Sequence, residues 1–361
     1  MQKLESIQFL RGASTFAIML FHICALSKDY SDGVLFAPFL IVFHFCVDVF
    51  FVVSGFVMTA TTYNKFDEPG ASSKFAIQRL SRIYPPYWAL SIILLAYYLW
   101  NPSAVNAKSG GVDVLSSFLL TPATVLPLIP VAWTLVHEVI FYTIFYFAVC
   151  FLPHRYLDRA LVIWAVLVAI NITISGVFPG RELSTYILHP FNLEFIAGAL
   201  LGLSYRRRGA IPQGQRIALI AASLAILTGV AIYFQSRQLI DIVANPLRVY
   251  LLGVPSILLV AGCIGFNFTR NGVIGALTRM GDYSYSLYLI HILIIHFGYR
   301  IATRRLDISF SFWTNIAFGI LLSFVCIVVG RLFYRYVEKP SCAASLRFMT
   351  DILDKKRLSS A

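Results

Sequence analysis

The sequence predicts an all-α fold, a polytopic transmembrane helical bundle of about ten spans with both termini cytoplasmic. Three observations carry this. Of 361 residues, 58% are hydrophobic and only 13% charged, and the mean hydropathy is +0.76. Apolar stretches long enough to cross a bilayer recur along the whole chain. The basic residues fall between those stretches with a bias to one side. A net charge of +12 would hint at nucleic acid in a soluble chain. Here the positive-inside rule explains it, and no nucleic-acid partner is expected.

The first span, Ile7 to Ser27, follows Met-Gln-Lys-Leu-Glu and has no small-residue cleavage site after its apolar run. It reads as a retained helix, not a signal peptide. The remaining spans are placed at 36–60, 83–100, 131–152, 159–178, 188–205, 216–234, 247–267, 284–302 and 311–336. The longest connection, Asn101 to Pro130, opens on polar residues and then turns apolar with Pro122, Pro127 and Pro130. Those prolines argue against a regular span and predict an interfacial or re-entrant segment on the outer side.

With the N-terminus inside, the segments assigned to the cytoplasm hold 19 Lys and Arg against 8 outside. An even number of spans then returns the C-terminus to the inside. Residues 1–340 form the transmembrane domain, and 341–361 form a short basic cytoplasmic tail suited to a membrane surface. No soluble domain interrupts the bundle, and no inverted repeat of the transporter kind is visible. The six cysteines, Cys24, Cys46, Cys150, Cys263, Cys326 and Cys342, show no paired spacing. They predict neither a disulfide framework nor a metal site.

Arg11 and His22 lie eleven residues apart in the first span. On a helix that is three turns plus about 20°, so both share one face at an axial separation of ~16 Å. Ionisable residues in lipid cost several kcal/mol, and an aligned pair in one span marks a functional site by default. Snorkelling of Arg11 and an interhelical bond from His22 are the structural alternative. By span direction, Arg11 lies near the cytoplasmic face and His22 in the outer half. His44 falls in the outer half too, Asp48 near the middle, and His137 and Glu138 in the outer third. His291 lies near the middle, with His296 above it.

A His beside a carboxylate in a secluded cavity suits general-base chemistry, because the carboxylate orients the imidazole. A proton relay or plain interhelical bonding uses the same residue types, especially at His137, His189 and His296. At the cytoplasmic edge, Arg79-Leu-Ser-Arg82-Ile-Tyr-Pro85-Pro86 puts two Arg on one side of a turn just before the third span. Arg suits phosphate, whereas ordinary positive-inside flanking is the simpler reading of those residues alone. Arg11 at similar depth favours a basic inner mouth below a His-bearing outer cavity.

In chain order these residues resemble the acyltransferase-3 family of integral-membrane acyltransferases. Leu4-Glu5-Ser6-Ile7-Gln8-Phe9-Leu10-Arg11-Gly12 followed by His22 is similar to that family's opening Arg-x10-His signature. Its Glu-Ser-Ile-Gln lead-in resembles members that modify bacterial exopolysaccharide. Val47-Asp48-Val49-Phe50-Phe51-Val52-Val53-Ser54-Gly55-Phe56 matches the second-span motif, with Cys46 where a Gly is usual. Arg79-x-x-Arg82-Ile-x-Pro85 matches the cytoplasmic arginine motif. Trp133-Thr134-Leu135-x-x-Glu138-x-x-Phe141-Tyr142 resembles the fourth-span motif. Gly281-x-x-Ser284-Tyr285-x-x-Tyr288-Leu289-x-His291 and Glu338-Lys339-Pro340 complete the set. The motifs run from residue 4 to 340. Larger relatives append an extracytoplasmic hydrolase-like domain, and none is visible here.

The resemblance implies O-acyl transfer, with acetyl as the expected group, from cytoplasmic acyl-CoA to a hydroxyl of a cell-surface or exopolysaccharide glycan or its lipid-linked precursor. No cofactor is permanently bound; acyl-CoA is the donor substrate. Arg11, Arg79 and Arg82 are assigned to the CoA phosphates. His22 is assigned as general base or transient acyl carrier, and Asp48 and Glu138 as groups that orient it. Ser54, Trp133, Tyr142, Tyr285, Tyr288, His291 and Glu338 are acceptor-binding or supporting residues. Aromatic faces suit sugar rings, although an aromatic belt places Trp133 and Tyr142 equally well. The implied location is the bacterial inner membrane, with lipids, the glycan or lipid-linked oligosaccharide, and polysaccharide biosynthesis or export proteins as partners. The competing class is a proton-coupled transporter or flippase of lipid-linked sugar, which leaves Arg-x-x-Arg-Ile-x-Pro unexplained. An accessory subunit of a secretion complex would not need every motif to keep its polar residue.

Overall fold

The computed structural model describes residues 4–30, 38–66, 68, 70–102, 105–106, 111–175, 183–237, 247–267 and 271–359. Lys3, Lys108, Arg181 and Arg270, which enter the charge count above, lie outside them. The described residues are mostly helical, with no strand among them. The helices are α1 (Glu5–Ser27), α2 (Phe45–Thr62), α3 (Ala71–Trp100), α4 (Val114–Leu119), α5 (Trp133–Phe151), α6 (Leu157–Ser175) and α7 (Leu183–Ile187). They continue with α8 (Asn192–Arg208), α9 (Gln213–Arg237), α10 (Val254–Cys263), α11 (Gly272–Met280), α12 (Ser284–Arg304), α13 (Phe312–Phe333) and α14 (Lys339–Ser359). A 3-10 stretch, Pro38–His44, leads into α2. Wider π-helical turns at Val249–Gly253 and Tyr334–Glu338 lead into α10 and α14.

Seven helical runs are long and apolar enough to cross a membrane: Glu5–Ser27, Phe39–Thr62, Pro130–Phe151, His154–Ile174, Gln213–Arg237, Gly272–Arg304 and Phe312–Lys355. The other segments predicted as spans are also helical, but α8 has 17 residues and Val249–Cys263 is a shorter apolar run. Several helices turn large apolar side chains outward, as a lipid-facing surface requires. Ile163, Val166 and Ile174 do so on α6, Leu224 and Ile232 on α9, and Ile320 and Phe324 on α13.

The chain divides into two compact units. The first comprises Met1–Thr61, Leu161–Pro179 and Leu188–Gly330; the second comprises Thr62–Ala160, Gly180–Ile187 and Arg331–Ala361. In the first, α1 packs along α11, α12 and α10, while α9 packs on α10 and the 3-10 stretch. One apolar cluster joins Ile7, Leu10, Val49, Val52, Phe56 and Val260. Another joins Met19, Ile23, Leu287, Ile295, Tyr299 and Leu322.

Two close helix crossings hold this unit, and the motif glycines make them. A Cβ on Gly55 of α2 would overlap the Phe195 carbonyl oxygen of α8, and one on Gly198 would overlap that of Val52. The contact is therefore backbone on backbone in both directions. Thr59 adds a hydrogen bond of 2.9 Å to the Ala199 carbonyl across the same crossing. Gly12 of α1 likewise abuts the Leu277 carbonyl, and Gly281 abuts that of Gln8. Small residues let helices approach in lipid, where no hydrophobic force drives them together. Gly198→Ala is expected to destabilise the protein by about 1–3 kcal/mol through overpacking. Gly229→Ala, on a face of α9 with open space, should be neutral or stabilising, because Ala favours helix. Thermal unfolding in detergent measures both, and equal behaviour of the two variants would refute the crossing as the cause.

In the second unit α3 packs on α5 and α14. It begins twelve residues before the predicted third span, which corrects the placement of Arg79 and Arg82. They lie two to three turns inside the helix, not ahead of it. The helix also runs through Pro85 and Pro86. Pro86 has no N–H for the Arg82 carbonyl four residues back, and the Cys342 thiol donates to that carbonyl at 3.7 Å. On the same side Ser345 bonds Ser81 at 3.2 Å, so α14, the predicted basic tail, is docked on α3.

The described residues of the Asn101–Pro130 connection are largely irregular apart from α4. Asp113 caps α4 by accepting from the Ser116 amide. Tyr84, Tyr87 and Trp88 of α3 donate to the carbonyls of Leu119, Ser117 and Phe118 at 2.7–2.9 Å. The orphan carbonyls of this short helix are thereby satisfied. Leu120, Leu128 and Ile129 are buried.

Candidate active site

In the first unit, α1 brings His22 beside His291 of α12. The ring centroids are 5.2 Å apart and the planes tilt by 47°. His22 is half-buried, whereas His291 is fully buried. His291 Nδ1 is 3.2 Å from the Leu287 carbonyl oxygen one turn back. That oxygen only accepts, so Nδ1 carries the hydrogen and Nε2 is left as the acceptor nitrogen. Nε2 is buried without a hydrogen-bond partner. Tyr288 packs on His291 at 5.7 Å and on Phe50 at 6.0 Å. Phe21 packs edge-on against His44 at 4.5 Å. His291 and His44 are the ionisable groups that act on His22. Ser54 and Tyr285 are half-buried in the same unit.

Asp48 does not take the role expected of it. Its Oδ2 accepts from Arg248 Nη2 at 2.6 Å, with both side chains fully buried. The carboxyl of Glu194 on α8 stands beside Asp48, its own oxygens buried without a donor. Arg248 also lies over the Phe191 ring at 5.2 Å and reaches the His44 carbonyl at 3.5 Å. Asp48 is thus committed to a buried Asp–Arg–Glu cluster, and the ring that meets His22 is His291. Arg248, at the edge of the predicted 247–267 span and just ahead of the π-helical turn Val249–Gly253, is fully buried in the unit. Glu194 lies in a predicted span without having been singled out. The only sequence signal for either was an ionisable residue within or at the edge of an apolar stretch.

The second unit gathers the other motif residues. Tyr142 donates a short hydrogen bond to Glu138 one turn earlier on α5. The Arg79 guanidinium lies 5.4 Å from the Tyr142 ring and 5.5 Å from Phe75, a cation–π arrangement. Arg82 is exposed and lies in the field of Glu338, Tyr142 and Glu138. Glu338, in the π-helical turn before α14, is buried. Trp133 meets His137 edge-on at 6.0 Å, and His137 lies against Tyr186 of α7 at 4.6 Å. The depth estimate that put Glu138 in the outer third, away from the arginines, is corrected, since Glu138 acts on Arg82. The early start of α3 carries Arg79 and Arg82 to the level of Tyr142. Arg11 remains on α1, where its carbonyl accepts from Thr15 at 2.8 Å.

A helical membrane protein with a half-buried histidine backed by a second, and with arginines beside buried carboxylates, has the equipment of a membrane acyltransferase. The chain belongs to acyltransferase family 3: the family model described as "Acyltransferase domain" matches residues 4–335. It is 31% identical over 267 residues to "Exopolysaccharide production protein ExoZ" of Rhizobium meliloti (strain 1021), covering 69% of this chain and 75% of that protein. It is 26% identical over 368 residues to "Acyltransferase MdmB" of Streptomyces mycarofaciens, covering 94% of this chain and 91% of that one. No solved structure matches it.

Proposed function

We propose that this acyltransferase moves an acetyl group from cytoplasmic acyl-CoA to a hydroxyl of an exopolysaccharide or cell-surface glycan, or of its lipid-linked precursor. The observation that carries the reading is His22, half-buried against the buried ring of His291 in a chain matched from residue 4 to 335 by an acyltransferase family. The exopolysaccharide role printed in the name of one relative supports a glycan acceptor. The chain crosses the bacterial inner membrane about ten times with both ends inside, as the Lys/Arg bias favours.

His22 is the general base. It takes the proton of the acceptor hydroxyl as that oxygen forms a C–O bond to the thioester carbon. The C–S bond breaks with its electron pair on sulfur, and the imidazolium returns the proton to the CoA thiolate. Arg11, Arg79 and Arg82 hold the CoA phosphates, and Arg82 is the most accessible of the set in the second unit. Arg79 lies over the Phe75 and Tyr142 rings. Glu138 and Glu338 orient these arginines, and Trp133, Tyr142, Tyr285, Tyr288 and Ser54 serve the acceptor.

The test uses membrane vesicles of both orientations supplied with radiolabelled acetyl-CoA. Inverted vesicles, which expose the inner face, should incorporate label into glycan; right-side-out vesicles should not. Arg82→Ala should weaken acetyl-CoA binding by about 1.5–3 kcal/mol for a lost charge-assisted contact, and Arg82→Lys should not restore a bidentate one. Equal incorporation in both orientations would reject a cytoplasmic donor.

A further inference from the structure

We infer that His291 is the positioning residue of the transfer reaction: its unpartnered Nε2 is the acceptor to which a turn of the neighbouring His22 ring brings an N–H, and that bond fixes which nitrogen of His22 faces the substrate. The inference rests on the reading of His22 as general base. It begins from an acceptor with nothing to accept. His291 is fully buried, and a buried polar atom left unpaired is destabilising. Its Nδ1–H is used by the Leu287 carbonyl at 3.2 Å, which pins the ring to its own helix and sets the tautomer. Nε2, at the far edge of the ring from the backbone, is left as a lone pair without a donor.

The polar ring that can supply a donor is His22, whose centroid is 5.2 Å away. Tyr288 also lies against His291, on the same face of α12, and packs on Phe50, so His22 and Tyr288 as donors are distinguished by the test below. The other histidine near His22 is His44, which packs on Phe21 and lies in the field of Arg248. A neighbouring cation makes it a poor partner for a ring that must become cationic. Asp48, the carboxylate that would ordinarily orient such a base, is held by Arg248.

A base needs one nitrogen free of hydrogen and aimed at the acceptor hydroxyl. A neutral imidazole has two tautomers, and only one places its lone pair there. With His22 donating to His291 Nε2, its second nitrogen is the acceptor. No proton passes to His291: the hydroxyl proton goes to His22 and from there to the departing thiolate. The backbone carbonyl of Leu287 holds His291 as a carboxylate holds a catalytic His in a triad. Binding of acyl-CoA is not involved, so the contribution of His291 falls on turnover.

The test compares His291→Leu, which removes the acceptor at similar volume, with His291→Gln, whose amide oxygen can stand where Nε2 stands. In inverted vesicles with radiolabelled acetyl-CoA, His291→Leu should lower kcat roughly 10–100-fold, as loss of an orienting partner typically does, with KM for acetyl-CoA unchanged. His291→Gln should keep most of the turnover. Nitrogen-15 histidine NMR in micelles reads the tautomer of His22 directly and without catalysis. Wild type and His291→Gln should show one tautomer, and His291→Leu a mixture. A single unchanged tautomer in His291→Leu, or equal losses in both variants tracking their melting temperatures, would overturn the inference. Full activity of His22→Ala would instead reject His22 as the base, while the NMR result still decides whether the two rings are bonded.

Discussion

His22→Ala is expected to lower acyl transfer by about 10²–10⁴-fold, the usual cost of removing a general base, while the protein still folds. The side chain is half-buried and stands outside the apolar cluster that Met19 and Ile23 form with α12 and α13. Removing it therefore vacates a partly accessible position and leaves the packing of α1 in place. Its helix is fixed independently by Gly12 and Gly281 against opposing carbonyls. His291 loses only a ring neighbour, and its Nδ1–H bond to Leu287 does not depend on His22. The measurement is incorporation of label from acetyl-CoA per folded enzyme, with melting temperature followed on the same preparation. Near-normal product with a normal melting temperature would remove His22 from the chemistry.

The parts of the site that could be read in the sequence were those that repeat along one helix or stand in a motif. Arg11 and His22 share a face because helix geometry requires it. The motif glycines were legible as letters but not as contacts. Gly12, Gly55 and Gly281 prove to be places where two backbones touch, which no reading of one helix at a time can show. The cluster of Asp48, Arg248 and Glu194 joins residues two hundred positions apart. A residue at the edge of an apolar run, as Arg248 is in 247–267, looks alike in sequence whether it faces water or core. The start of α3 was missed for a related reason. Lys74, Arg79 and Arg82 dilute its first turns below the apolarity of a span, and Pro85-Pro86 suggests a boundary. The helix continues because docking on α5 and α14 outweighs local preference, with Cys342 covering a carbonyl freed by proline. A span that begins at 83 leaves Arg79 and Arg82 outside the bundle, which is why a depth count places Glu138 far from them.

Arg248→Met is expected to cost about 3–5 kcal/mol of stability, the usual penalty for breaking a buried ion pair from one side. Arg248 and Asp48 are both fully buried and 2.6 Å apart, and Glu194 stands beside Asp48 with no donor of its own. Losing the guanidinium leaves two carboxyl groups facing each other with no counter-charge. The other single changes should cost less. In Asp48→Asn, Glu194 is near enough to serve Arg248. In Glu194→Gln, shape is kept and one ionisable group is removed from a cluster whose single guanidinium cannot neutralise two carboxylates. Gly253 leaves room for Glu194, since a Cβ there would come within 2.7 Å of its Oε1. Combining Arg248→Met with Asp48→Leu and Glu194→Gln should recover most of the loss, as apolar replacement of a buried pair often does. Denaturation in detergent gives the energies, and transfer activity of the folded triple variant separates structure from chemistry. Arg248 also holds the His44 carbonyl at the entry to α2, beside the Phe21 and His22 step of α1. A stable triple variant with normal turnover makes the cluster a strut for that junction. A stable but inactive one places the cluster in the reaction, and wild-type stability of Arg248→Met would show that the pair carries no such load.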